Sequence, residues 1–254
     1  MSDITRMPNI LETGHVYFFY RPRVEKDRAE SLEDVERFYL VLHPRDKQVW
    51  RLLIVGRKRL PEVKDGKERV WGFVAKVGHK PEEVEDELDR HSYGTKTRGE
   101  RVQPEARPAG EGVYSLVAHD KHTHLTYRLE FPRQPGKVQE ELRIEPEASY
   151  IVTVRNPETP APPTAGLQPE QRATFPEELK KKFRGRRFIS VEPDFLDYEG
   201  AELVLVGAAA KPEEELGIEL KPEEESETQA AIFRDLGLER EQHPLEPLFK
   251  GEWR

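Results

Sequence analysis

The segment RFYLVLHPRDKQVWRLLIV, residues 37–55, contains two apolar runs separated by a short polar stretch. The runs Phe38–Leu42 and Leu52–Val55 combine β-branched and aromatic residues, which favour strands. Between them Pro44 restricts one backbone angle, and Asp46 supplies side-chain chemistry typical of turns. A connection this short joins antiparallel strands, because parallel strands need a longer crossover. The segment therefore predicts a β-hairpin.

Similar apolar runs recur along the chain and alternate with turn residues. The further strand candidates are His15–Arg21, Val70–Val77, Val113–His119, His122–Phe131, Leu142–Ile144, Tyr150–Val154, RFISVEP (187–193) and AELVLVGAAA (201–210). The helix candidates are Pro81–Arg90, 176–185 and 222–236. Most joins are short enough for antiparallel pairing. The sequence predicts an α+β fold dominated by β structure, with mostly antiparallel sheet in a sandwich or an open barrel and about three short helices.

The composition restricts the compartment and the classes of site. The chain has 254 residues, of which 35% are hydrophobic and 35% are charged, and it contains no cysteine. It therefore forms neither disulfides nor thiolate metal sites. The first residues lack the features of a secretory signal, and no run approaches the ~18 apolar residues of a membrane span. We expect a soluble cytoplasmic protein with a composition typical of heat-adapted proteins.

The net charge of −8 is concentrated near the end of the chain. Residues 211–254 carry six Lys or Arg and thirteen Asp or Glu, a net charge of −7. We predict a β-rich core domain over 8–210, with a proline-rich loop at 156–176. An acidic extension follows at 211–254 and carries the helix candidate 222–236.

The aromatic tail of this extension has two interpretations. One is an arm that packs against its own domain. The other is a docking segment for a protein partner or for self-association, in which aromatic anchors fill pockets of the partner. The residues that would dock are Leu248, Phe249 and Trp253. No membrane partner is expected.

Three of the eight histidines lie in HDKHTH, residues 119–124. We predict a hairpin turn at Asp120-Lys121, which brings His119 close to His122 or a residue beside it. Strand alternation puts His122 and His124 on the same face, which we interpret as solvated. The alternatives are a catalytic role for His119, His122 and His124 or a zinc site. Because no second cluster of metal ligands supports the latter, we assign no metal and no cofactor.

The segment SYGTKTRGERVQPEARPAGEG, residues 92–112, predicts a long loop rich in Gly, Pro and Arg. Long loops in compact domains are often functional. The spacing does not match a P-loop, but arginine forks can hold phosphate or carboxylate through paired hydrogen bonds. The candidates for anion binding are Lys96, Arg98, Arg101 and Arg107. Solvated surface charge is the competing interpretation.

A second basic segment, KKKFRGRRF at 180–188, interleaves cations with two phenylalanines. This pattern suits nucleic acid, with charges on phosphates and rings on bases. The competing interpretation is the last turn of a helix, where lysines interact favourably with the helix dipole.

Taken together, these features predict a binding or scaffold protein that is a subunit or accessory of a larger assembly. The first alternative is a hydrolase or phosphoesterase-like enzyme that acts on an anionic substrate through His119, His122 and His124. The second is an RNA-binding protein that uses 180–188. Nucleic acid is not favoured, because the charge of residues 1–210 is nearly balanced.

Overall fold

The structure is a computed structural model and describes residues 8–63, 66–95, 99–160, 166–222, 226–238, 240 and 242–254. The strands are β1 Asn9–Pro22, β2 Val35–Pro44, β3 Trp50–Val55, β4 Arg69–Gly78, β5 His91–Thr95, β6 Gly99–Gln103, β7 Arg107–His119, β8 His122–Phe131, β9 Glu147–Arg155, β10 Phe188–Ser190 and β11 Glu202–Ala209. The helices are α1 Glu82–Leu88, α2 Lys137–Leu142, α3 Glu177–Phe183, α4 Pro212–Leu216, α5 Ala231–Asp235 and α6 Glu246–Lys250. Single 3-10 turns lie at Leu32–Asp34, Pro169–Gln171 and Pro193–Asp197.

Eight antiparallel strands form a closed barrel. The strand order is β9-β11-β4-β3-β2-β1-β7-β8, and β8 pairs in turn with β9, which closes the ring. The short strand β10 pairs with the end of β9 that β8 does not reach. The predicted β-dominated, antiparallel architecture is confirmed, but the sheet closes instead of forming a sandwich or an open barrel. Closure leaves these eight strands without a free edge for another chain to pair with.

The hairpin predicted over 37–55 is confirmed. Strands β2 and β3 pair from Phe38 opposite Val55 to Leu42 opposite Arg51. Alternate residues of each strand point into the barrel, where they form one apolar core. In β1 to β4 these residues are Val16, Phe18, Tyr20, Phe38, Leu40, Leu42, Leu53, Val55, Val70 and Val74. The barrel interior is therefore filled with side chains.

The two ends of the barrel are closed in different ways. At one end the Trp253 ring packs edge-on against Tyr20, with 4.9 Å between ring centroids. At the other end the buried Arg51 guanidinium lies 2.7 Å from the Glu12 carboxylate, which also accepts a hydrogen bond from the Tyr114 hydroxyl. Asp197, on the last 3-10 turn, completes this network from outside the sheet through its contact with Arg51.

A second apolar core lies outside the barrel, between the wall and the helices. Outward residues of β1 to β3, such as Tyr17 and Trp50, are buried against Ile232 and Leu248 of the C-terminal extension. Helix α1 adds Val84 to the same core. The extension thus packs on the barrel wall, while the predicted division at residue 210 stays a prediction.

The helices differ most from the sequence-based expectation. The described chain has six α-helices, not about three, and no described helix is both long and apolar enough to cross a membrane. The helix expected over 222–236 is described only at Ala231–Asp235, and 223–225 lie outside the described residues. The strand expected at Leu142–Ile144 is wrong, because Leu142 ends α2. Three apolar residues are too few to distinguish strand from helix by periodicity.

Candidate functional site

Two adjoining cavities lie on the outer wall of the barrel. The larger one, called here the outer groove, has a volume of about 840 Å³. The smaller one, called the aromatic slot, has a volume of about 380 Å³. Phe73 and Leu167 line both cavities, so the two adjoin at these side chains. Both volumes fall in the roughly 300–1,000 Å³ range of ligand sites.

The floor of the outer groove is the wall of the barrel itself. Tyr39, Leu52, Ile54 and Phe73 project outward from β2, β3 and β4, because strand alternation turns their neighbours into the core. Segment 167–174 forms one bank of the groove, and the end of α1 with the β5–β6 hairpin forms the other. The polar residues on the banks are Glu87, His91, Gln103, Glu170, Gln171, Arg172, Thr174 and Glu199.

A buried arginine holds the bank formed by α1 and the β5–β6 hairpin. Arg21 of β1 is only 1% exposed, and its guanidinium donates to the backbone carbonyls of Glu87, Asp89 and Pro104. It also donates to the Tyr39 hydroxyl at 3.2 Å. Since a buried guanidinium needs several acceptors, these bonds fix the position of the bank relative to the barrel.

A buried ion pair holds the opposite bank. Arg155 of β9 and Glu202 of β11 pair on the outer face of the sheet, where they are 1% and 3% exposed. The second Glu202 oxygen accepts a hydrogen bond from the Leu167 backbone N–H at 2.6 Å. Arg172 donates to the Leu167 carbonyl at 3.1 Å, which fixes the segment at the junction of the two cavities.

The aromatic slot lies beside the β3–β4 connection. Trp71 and Phe73 are outward residues of β4 and remain half-buried. The Trp71 ring meets the edge of Phe188 from β10, with 5.9 Å between centroids. Arg57 and Arg69 stand at the rim of the slot. The slot therefore combines exposed ring surface with guanidinium groups.

Some of the arginines around the two cavities form ion pairs and others do not. Arg57 is bonded to Glu68 at 2.9 Å. Within the described part of the chain, Arg37 in the outer groove and Arg69 in the slot have no ion pair or side-chain hydrogen bond, and both are exposed. Free guanidinium groups beside aromatic rings suit a ligand that carries negative charge and flat apolar surface.

The histidine segment lies elsewhere, and its turn is as predicted. His119 pairs with His122 across Asp120-Lys121. His122 is exposed, but His124 is only 4% exposed, because Leu216 and Ile218 of the extension pack beside it on Val117. The predicted solvated face is thus wrong for His124. Strand alternation places His124 on the outer face of the barrel, and the extension packs against that face.

The surroundings of His124 make it a poor proton donor at neutral pH. Its Nδ1 lies 3.0 Å from the Ser149 hydroxyl and 3.8 Å from Glu215. Burial lowers the pKa of His124, Glu215 opposes this shift, and His119 and His122 add to it, so the pKa lies below its usual value. No group of three metal-ligating side chains occurs in the described residues.

The structure describes two of the four predicted anion-binding residues, Arg101 and Arg107. Lys96 and Arg98 lie outside the described residues. Arg101, on the β5–β6 hairpin, lies 3.6 Å from Glu25. Arg107 is 2% exposed and donates to the backbone carbonyls of Glu105 and Asp27.

The geometry separates Arg107 from the histidines. Arg107 and His119 are the two ends of β7, whose 13 residues span about 40 Å at ~3.3 Å per residue.

The basic segment 180–188 is divided between structure and surface. Lys180 and Lys182 pair with Glu177 and Glu192, as expected for lysines near a helix end. Phe183 is buried in the barrel core, so it offers no ring to a ligand. Phe188 instead reaches Trp71 at the aromatic slot.

The residues predicted to dock a partner make contacts within their own chain. Leu248 is fully buried in the outer core. The Phe249 ring meets Phe131 edge-on at 5.4 Å, and Trp253 packs on Tyr20. These contacts match the interpretation of an arm that packs against its own domain.

Comparisons with family models, curated proteins and solved structures found no match to this chain. The sequence pattern predicted a strand over Val70–Val77 but did not show that Trp71 and Phe73 line a cavity. The available signal was the alternation Arg69, Trp71, Phe73, which places a cation and two rings on one face.

Proposed function

We propose that this protein is a non-catalytic binding protein whose ligand lies across the outer wall of the barrel, in the outer groove and the aromatic slot. One observation carries the proposal. The extension and α1 bury most outward side chains of β1 to β3, whereas Trp71 and Phe73 of β4 are only half-buried and line a cavity. Concave apolar floors with a few polar groups at the rim are typical of ligand sites.

The hydrogen-bond networks that hold this surface in place favour binding over catalysis. The Arg21 and Arg155 networks hold both banks in place, and preformed walls reduce the entropy that binding costs. The enzyme alternative gains no support from the histidines, because His124 meets Ser149 and Glu215 through the same nitrogen. A nucleophile and an orienting acid normally contact opposite nitrogens of the ring. A role in a larger assembly stays a prediction.

The test is native mass spectrometry of the protein recovered from the cells that produce it. We expect wild type to carry a bound mass that is lost in Trp71→Ala and in Phe73→Ala. Ile10→Ala is the control, because Ile10 is an exposed apolar residue outside both cavities. Melting temperatures show that each variant is folded. Equal bound masses in wild type and Trp71→Ala, or none in wild type, would contradict the proposal.

A further inference from the structure

Two basic segments that are far apart in sequence meet at the aromatic slot. Trp71 of β4 and Phe188 of β10 are separated in the sheet by β11 and β9, yet their rings touch. Arg69 precedes Trp71 by two residues, and Arg187 directly precedes Phe188. The contact therefore places the β3–β4 connection and the α3–β10 connection on either side of one pair of rings.

Both connections are strongly basic in a chain of net charge −8. The described residues of 56–69 contain five Lys or Arg and two Asp or Glu, and residues 184–187 contain three Arg and no acid. Arg69 and Arg184 are exposed, and neither side chain bonds to any residue that the structure describes. Arg187 uses one nitrogen for the Pro160 carbonyl. The surface next to the slot is thus locally positive.

We propose that the aromatic slot and these two connections bind single-stranded nucleic acid, an inference that rests on the proposed function. Bases stack on Trp71, Phe73 and Phe188, while phosphates pair with Arg69 and Arg184. Aromatic side chains in a basic groove are the usual means of holding unpaired strands without reading their sequence. A duplex keeps its base faces stacked internally, so its rings cannot reach Trp71.

The charges also indicate where the strand does not run. Glu87 and Glu170 line the outer groove, and no ion pair to a described residue neutralises either of them. Phosphates are repelled there, so the backbone follows the slot and the α3–β10 connection. The outer groove beyond Phe73 then receives only sugars or bases, on the floor beside Ile54.

The experiment is fluorescence anisotropy with labelled oligo-dT and oligo-rU of about 12 nucleotides, within the roughly 4–16 that comparable folds contact. A duplex of the same length and unlabelled heparin are the comparison ligands. We expect wild type to bind both single strands more tightly than the duplex. Trp71→Ala should weaken binding roughly 5- to 150-fold, as expected for losing one stacked base. Trp71→Phe should restore most of the affinity.

The salt dependence tests the phosphate contacts separately. Arg69→Gln should lower the slope of log K against log salt by about 0.7, the value for one phosphate of a single strand. Arg28→Gln is the matched control, because Arg28 is equally exposed but lies outside both cavities. It should leave affinity and slope unchanged.

Absence of single-strand binding at low salt would overturn the inference. The inference would also fail if the duplex bound as tightly as the single strands, or if heparin competed as well as an unlabelled single strand. It would fail too if folded Trp71→Ala kept the wild-type affinity. Each of these results indicates attraction to any polyanion. If the native protein carries a ligand that depends on Trp71 but is not a nucleic acid, the ligand class is wrong and the binding function stands. If no ligand depends on Trp71, both fail.

Discussion

His124 shows how one residue acquires a property that its strand position does not predict. Alternation along β8 places it outside the barrel, where a histidine is normally hydrated. The extension covers it, and Glu215 at 3.8 Å only partly offsets the desolvation. The lowered pKa means that the folded protein keeps this ring neutral at a pH where the unfolded chain already binds a proton.

We predict that His124 makes the protein less stable as the pH falls. Above the usual pKa of about 6.5 the ring is neutral in both states and has no effect. Below it the unfolded state takes up a proton first, so unfolding becomes more favourable until the pH reaches the lowered folded pKa. His124→Gln should therefore show a smaller fall in melting temperature than wild type between pH 8 and pH 5.

His91→Gln is the control for this measurement, because His91 is exposed and lies on the separate β5–β6 hairpin. It should follow the wild-type curve. The same fall in wild type and His124→Gln would show that burial of His124 does not contribute to the pH dependence.

At the scale of elements, helix α5 is held by side chains from strands far away in sequence. The buried Glu111 carboxylate of β7 accepts hydrogen bonds from the backbone N–H groups of Ala231 and Ile232, at 2.7 and 3.0 Å. At the other end, burial of Asp235 opposes its ionisation, but hydrogen bonds with His15, Tyr17 and Arg234 outweigh this and hold the pKa of Asp235 well below its usual value. Five residues form a stable helix here because the barrel supplies both ends.

The end of helix α6 and the start of helix α2 approach each other closely at two glycines. A Cβ on Gly251 would lie 2.6 Å from the Gly136 backbone, and its φ of +67° is one that side chains rarely adopt. The Val138 N–H donates to the Gly251 carbonyl at 3.1 Å across this contact. The absence of a side chain is what lets α6 pack against α2.

We predict that Gly251→Ala destabilises the protein more than Gly217→Ala does. Both glycines end a helix with nearly the same positive φ, but a Cβ on Gly217 meets nothing within 4 Å. Both variants lose about 1–2 kcal/mol from backbone strain. Gly251→Ala should lose about 1–3 kcal/mol more from the steric overlap. Urea unfolding measures the difference, and equal losses would show that the tail does not pack as closely as described.

At the scale of the whole molecule, the barrel and the extension share their apolar cores. The outer core joins Tyr17 and Trp50 of the barrel to Ile232 and Leu248 of the extension, and Trp253 packs on the inner core. Neither part buries its apolar surface without the other. A division into independently stable units at residue 210 would leave both surfaces in water.

We therefore predict that the chain unfolds in one cooperative step. Tryptophan fluorescence of a Trp71→Phe variant reports largely on the extension, because Trp50 donates to the Asp235 carbonyl and Trp253 closes the barrel end. Far-UV circular dichroism reports largely on the strands. The two urea transitions should coincide. A fluorescence transition at lower urea would show that the extension detaches first.

The alternation of apolar residues in 37–55 and along β8 depends only on neighbours in the chain, which is why strands and hairpin turns were predictable. Sheet closure was not predictable, because it depends on β8 meeting β9 and β4 meeting β11 with matching tilt. The short helices were missed because their stability comes from partners such as Glu111 and Gly136 and not from their own periodicity.

The sequence by itself determined a β-dominated, antiparallel protein without cysteine chemistry and with its acidity at the C-terminal end, because these properties follow from composition and local pattern. Only the tertiary structure decided which outward faces meet water. In the folded chain His124 and Leu248 are buried, whereas Trp71 and Phe73 remain half-buried between two basic connections. The physical reason is that exposure depends on what packs against a strand from elsewhere in the chain, and a period of two residues carries no information about that.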